Sequence, residues 1–481
     1  NKSSTDDASN ATIKELWTGA VLLDDESCLL SGSYAVSPYY TTAAIFGKVN
    51  ASGNRAWVKS VPNVSGINYA TTVAKRANGT FLLAGMNGQC GFVAPIDATG
   101  TIGTVIKIKY AICATSSNGF QIPVQLLDRT VAGKSVLTAV ILRDEYSLKT
   151  VVANVEADGS VLTSFQHADP SNNYVNEPRA ATVLTDGRIL VVGRTNEPGG
   201  GGGDDATLTF LQPDLTGEVR KRYGAAPNEV FHAVARLPDN TIVAAGARST
   251  GSNPPEAIVM RMAADGTLLW QKAFTGTGAY ELRAAVAADD GAFFLAGRRP
   301  EANNTAKSNL WMLALDADGD TFWTSEHGLS DTDEGAVALV RHPASGRLTA
   351  FGSRMSTNGT ADFYGVRVTE GGAVSCAAAG KCVPSVTPTC ADSDPCTASL
   401  CFNSVCVHQT QVAGCNDGDA CTSNEVCSSS GVCGGGAKVY CDDSNPCTTE
   451  TCNKTAGCLY SIVVDGTPCA TGKTCSSGVC Q

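Results

Sequence analysis

A short segment ending in glycine recurs through most of this 481-residue chain, and that recurrence constrains the fold more than any other feature. The segments read SCLLSG, TFLLAG, RILVVG, TIVAAG, AFFLAG and RLTAFG, ending at Gly32, Gly85, Gly193, Gly246, Gly297 and Gly352. Their intervals are 53, 108, 53, 51 and 55 residues, so one member is missing; it falls at VLTAVIL, with Val140 in the glycine slot. A second series of turn glycines, Gly53, Gly100, Gly159, Gly217, Gly266, Gly319 and Gly372, carries the same period. Seven units result.

Each unit reads as four strands. In the fifth, VFHAVARL alternates, TIVAAGA follows a Pro238-Asp239-Asn240 turn, AIVMRMA follows a polar loop and TLLWQKAF follows Asp265-Gly266. Period-2 alternation with Val, Ile, Phe and Thr suits strands, and glycine after Asp supplies the positive φ of a tight turn. Four strands every 53 residues or so, seven times over, is the arithmetic of a seven-bladed β-propeller over residues 13–376, behind a polar leader at 1–12. Units such as AATVLTDGRILVVGRTNEPGGGGGDDATLTFLQPDLTG resemble the secreted propeller repeats of the A-x-x-x-x-D-G-K-I-L-V-A-G type. That resemblance implies the fold and says little of activity, because propellers host unrelated functions.

The cysteines divide the chain. Three stand in the first 375 residues (Cys28, Cys90, Cys113) and seventeen in the last 106. After Cys376-x5-Cys382 and a Pro/Thr linker (377–389) come Cys390, Cys396, Cys401, Cys406; Cys415, Cys421, Cys427, Cys433; Cys441, Cys447, Cys452, Cys458; and Cys469, Cys475, Cys480. These set four repeats, 390–414, 415–440, 441–468 and 469–481, whose first turns read CADSDPCT, CNDGDACT and CDDSNPCT where complete. Such repeats resemble the C-D-D-x-N-P-C-T units of secreted and cell-surface proteins in slime moulds, other protists and some bacteria. In compactness they are EGF-like, though not in spacing.

A unit this short cannot bury a core, so two disulfides per unit are expected to replace it. Connectivity does not follow from spacing. Seventeen is odd, so the tail cannot be satisfied within itself. Cys90 and Cys113 bracket one strand pair, and a Cys28–Cys376 bond latching first repeat to last is one candidate; a buried free thiol at Cys28 is the other. Zinc is disfavoured, since the array has no CxxC pair and one histidine, His408.

Composition excludes other classes. Net charge is −11, with 35 basic against 46 acidic residues and no arginine after Arg367, so nucleic acid is not an expected partner. No apolar run is long enough to span a membrane. The cysteine content implies an exporting route, and a chain starting at Asn1 is read as one that has lost a secretory signal. Asn-x-Ser/Thr triplets supply N-glycosylation candidates at Asn10, Asn50, Asn63, Asn78, Asn303, Asn358 and Asn453.

No GxSxG, HExxH or Walker loop occurs, and no Cys-Cys pair of the quinoprotein kind. Of five histidines, His232, in an expected innermost strand, is the least implausible catalytic candidate; a packed strand histidine is the simpler expectation. The segments AADGTLLW and DADGDTFW resemble the tryptophan-docking turns of quinoprotein propellers, which implies that Trp57, Trp270 and Trp323 lock blades together. Asp316/Asp318/Asp320, Asp392/Asp394, Asp417/Asp419 and Asp442/Asp443 offer oxygens of the kind calcium prefers, but capping of their own turns is the simpler reading. The Gly199–Gly203 run reads as a blade loop. No catalytic residue, metal or cofactor is therefore expected. The expected role is an extracellular structural glycoprotein, a subunit of a cell-surface filament, appendage or matrix, bound to other copies or other extracellular proteins. A propeller-based binding protein, lectin-like or a receptor, is the alternative, and an enzyme with a channel site follows it.

Overall fold

The computed structural model describes residues 13–36, 41–62, 68–110, 120–131, 134–144, 148–156, 159–167, 174–198, 203–224, 228–249, 253–301, 304–328, 332–355, 361–372, 396–402, 405–410, 414–428 and 432–481. The leader, the linker, most of the glycine run, Cys113, Cys376, Cys382, Cys390, Asp392, Asp394 and the sequons at Asn10, Asn63, Asn303 and Asn358 lie outside the described residues. The described residues contain strands and no helix, so none crosses a membrane as a helix.

The chain is all-β and β-propeller-like. Repeats two to six each form a four-stranded antiparallel sheet in sequence order, for example Asn228–Arg236, Ile242–Ser249, Glu256–Met262 and Leu268–Phe274. The strands of the seventh repeat, from Asp333–His342 to Ala361–Thr369, adjoin the four of the first through one parallel pairing, Lys14 with Ala361. The first strand of each repeat packs against the first strands of its neighbours, and Asp333–His342 packs against Ile13–Leu22.

The second strands explain the alternation. Ile242 and Ala244 join the core shared with the fourth repeat, around Phe210 and Phe231. Val243 and Ala245 join the core shared with the sixth, around Leu282 and Phe293. Both faces are therefore buried, and each large apolar side chain contributes roughly 1.5–3 kcal/mol. Among the described residues there are seven such cores: six straddle two consecutive repeats, and the seventh joins Trp17, Leu30 and Ile45 of the first repeat to Val340 and Phe351 of the last.

The recurrent glycine has a steric cause. Each faces the first strand beside a β-bulge, as Gly246 faces Phe231 and Gly297 faces Leu282. There a Cβ would lie 1.9 Å from the carbonyl oxygen of Val230 or Glu281, so no side chain fits. The register corrects the expected gap in the series. Ile141, not Val140, faces Pro123 beside the bulge, and Ile141 is buried in the core between repeats two and three.

The expected tryptophan locks are present. Trp57, Trp270 and Trp323 lie against the turn glycines of the following repeats, Gly100, Gly319 and Gly372, all at φ near +80°. The indole Nε1 of Trp270 donates to Ala317 O (2.9 Å) and that of Trp323 to Glu370 O (2.7 Å).

The cysteine units are not self-contained, which corrects the expectation of two bridges within each. One bridge stays inside a unit: Cys415–Cys433, Cys441–Cys458 and Cys469–Cys480. The other crosses to the next: Cys396–Cys427, Cys421–Cys452 and Cys447–Cys475. In the hairpins of the last three units the third and fourth cysteines stand directly opposite, as in Cys452 and Cys458, yet they bond elsewhere. The fourth takes the first of its own unit, and the third reaches back to the second of the unit before. Cys475, spaced from Cys469 like a second cysteine, acts as a third. Among the described residues the three-cysteine groups that could suggest a metal consist of these bonded sulfurs.

In the propeller part, Cys28 is a buried free thiol, so the Cys28–Cys376 latch is not made in this structure. Cys90 is disulfide-bonded; its expected partner, Cys113, is outside the described residues.

Candidate ligand site at the inner strands

Two of the first strands repeat one motif that sequence reading passed over. Glu177-Pro-Arg179 followed by Gly193-Arg194 in the fourth repeat recurs as Glu281-Leu-Arg283 and Gly297-Arg298 in the sixth, each residue 104 positions on. The signal was legible as a second-order repeat, at twice the blade period. Antiparallel pairing sets Glu177 opposite Arg194 and Glu281 opposite Arg298, while Arg179 and Arg283 follow two residues along the inner strand.

Glu177 accepts from Arg179 Nη2 at 2.8 Å and from Arg194 Nε at 2.6 Å, and Arg194 also pairs with Asp204. Glu281 accepts from Arg283 Nη2 (3.0 Å) and Arg298 Nε (3.0 Å). The fifth repeat lies between. It has Val230 at the register of the two glutamates and His232 at that of the two outer arginines, and His232 Nε2 donates to Glu281 Oε1 at 2.8 Å. The expectation of an inner-strand His232 is therefore met, and the ring is packed and paired.

Burial would raise the Glu281 carboxyl, but the His232 hydrogen bond and the Arg283 charge outweigh it and hold the group well below the usual carboxylate range. Burial pushes the His232 imidazole down, against the pull of Glu281, so the ring is a neutral donor at neutral pH. Burial also lowers Arg179, which feels the Arg283 charge. The side chains of Glu177 and Glu281 are each 9% exposed, those of Arg179 and Arg283 39% and 42%. Buried carboxylates thus anchor partly exposed guanidinium groups. Each outer arginine uses Nη2 on its glutamate; Nε and Nη1 meet no partner among the described residues. Such donors recognise anions.

A second cluster lies toward the blade rim. His167 contacts Glu218 (2.6 Å) and Glu197 (2.8 Å), and Arg220 and Asn176 bond the same Glu197. Every member is occupied by another, so the cluster braces the third repeat against the fourth.

The Asp-rich turns show the capping chemistry. Asp316 Oδ1 accepts from the amides of Asp318 and Asp320, Asp417 Oδ1 from Asp419, Asp419 Oδ1 from Cys421, Asp442 Oδ1 from Ser444, and Asp443 Oδ1 from Asn445. Asn50, Asn78 and Asn453 sit in similar turns. Each accepts amide hydrogen bonds through Oδ1, and Asn78 and Asn453 are exposed.

No family model matches the chain. It is 28% identical over 145 residues to Protein psiQ of Dictyostelium discoideum, covering 22% of this chain and 14% of that protein, so it spans about a seventh of that relative's length. Among solved structures it is similar to virginiamycin B lyase from Staphylococcus aureus (9% identity, TM-score 0.42, covering 71% of this chain and 96% of that one). It is also similar to the NanB sialidase of Streptococcus pneumoniae (10%, TM-score 0.42, 75% and 68%) and to Drosophila Plexin A in complex with Semaphorin 1b (11%, TM-score 0.39, 70% and 83%). These neighbours are β-propeller-like, and they include enzymes and a receptor; the likeness is one of fold and carries no activity to this chain.

Proposed function

We propose that this chain is an extracellular binding protein: a seven-bladed propeller head over residues 13–376, carried on a disulfide-linked stalk of four cysteine-rich repeats. The seven shared cores support the blade count, since the last of them returns to the first repeat. The cysteine density and its bridges fit an oxidising, extracellular setting. One observation carries the binding role. Arg179 and Arg283, held by buried glutamates on inner strands, present donors that no other described residue uses. N-glycans at Asn50, Asn78 and Asn453 would sit on turns between strands.

The test is binding of labelled full-length protein to arrays of extracellular glycans and proteins, beside the double variant Arg179→Ala/Arg283→Ala. Saturable binding that the variant loses supports the reading, and binding that the variant keeps in full overturns it. A structural subunit of a filament or matrix is the second reading, favoured by the covalent continuity of the stalk. Electron microscopy of native material would then show regular assemblies in place of separate particles.

A further inference from the structure

Resting on that binding role, we propose that the inner-strand cluster takes one carboxylate group of an organic molecule, held between Arg179 and Arg283 with His232 at its floor. Charge selects the class. Arg179, Arg194, Arg283 and Arg298 face Glu177, Glu281 and Asp204, with His232 neutral, which leaves one positive charge. A carboxylate balances it. A phosphate dianion would overfill it.

The donors fit as well. Each outer arginine keeps donors on Nε and Nη1 that no described residue uses, so the pair can supply one donor apiece to the two oxygens of a carboxylate. The repeat between the arginines contributes no competing acid at this register, only Val230 and His232. The neighbouring inner strands place Ile122 and Val230 at the register of the glutamates, so the wall beside the charges is apolar and suits a carboxylate with an apolar body. Glu177 and Glu281 are fixed by Arg194 and Arg298 from the adjacent strand, so the outer guanidinium groups are positioned before any ligand arrives.

The experiment is phenylglyoxal labelling of the full-length protein, with the rates at Arg179 and Arg283 read by peptide mapping. The probes are benzoate, its neutral isostere benzamide, and inorganic phosphate, each at the same millimolar concentration. Benzoate is expected to slow both arginines about threefold or more, with benzamide and phosphate near the unprotected rate. In Arg283→Ala the benzoate protection of Arg179 should vanish, because two groups share one anion. Thermal unfolding of that variant, monitored by tryptophan fluorescence, establishes that it is folded; Arg283→Lys provides the same reading should the alanine variant fail to fold.

Equal protection by benzamide or phosphate, no protection by benzoate, or protection of Arg179 that survives the loss of Arg283 overturns the carboxylate assignment. If benzoate fails while the double variant still abolishes binding on the arrays, the carboxylate inference falls and the binding role stands.

Discussion

The repeats before residue 373 and the units after 395 address the same difficulty in opposite ways. Neither repeat can fold alone, so each must borrow from its neighbour. A propeller repeat does so with apolar side chains on both faces of its second strand, as Ile242/Ala244 and Val243/Ala245 show. A cysteine unit does so with one sulfur, as Cys447 bonds to Cys475 of the next. The large apolar side chains of the array are correspondingly exposed, among them Tyr440, Ile462 and Val464. Hydrophobic sharing is spread over seven to fifteen buried residues per interface. Disulfide sharing rests on one bond, so the two regions should fail under different treatments.

Reduction should separate them most sharply. Hydrogen exchange on the full chain with and without a phosphine reductant is expected to show protection lost across 396–481 and retained through the strands of 13–372. Simultaneous loss in both would break the comparison. Removing one crossing bridge, Cys447→Ser with Cys475→Ser, should lower the stability of the array by roughly 2–5 kcal/mol and leave the propeller transition in place.

Within the propeller, Trp270→Ala removes a packed indole and its bond to Ala317, and should cost about 4 kcal/mol in urea denaturation. Gly297→Ala should cost a similar amount, because its methyl would meet Glu281 O; an Ala variant of near-native stability would refute the steric account of the glycine series.

Acid is a gentler probe. Burial pushes His327 down to about 4, and His342 likewise. Each imidazole takes up a proton more readily in the unfolded chain. Propeller stability should therefore be full above pH 6.5 and fall as pH drops toward 4, by about 3 kcal/mol for the fully buried His327. His327→Asn should flatten that fall. The smallest effect concerns Cys28, whose thiol burial pushes up to about 12. It should resist alkylation in the native chain and react once in denaturant, and native labelling would place it outside the core.

Much of this is legible in the amino-acid sequence. The period near 53 residues carried the strands, the turns and the three locking tryptophans, because each rests on local spacing and on glycine chemistry. The position of the missing glycine was not, since Ile141 and Val140 are both apolar and only strand pairing shows which one faces Pro123. The arginine site escaped for another reason. Its motif occurs in two of the seven repeats, and its meaning depends on their flanking a third.

The sequence by itself determined the element types, the unit length and the division between a core-stabilised and a sulfur-stabilised region. These follow from side-chain period, turn glycines and cysteine count, which are properties of short windows. Tertiary structure alone decided which sulfur meets which, because cysteines opposite in a hairpin such as Cys452 and Cys458 bond to partners up to 31 residues away. It also decided that Glu177 and Glu281, 104 residues apart, hold their arginines on the same inner face. Proximity between distant segments is a property of packing, and no local pattern encodes it.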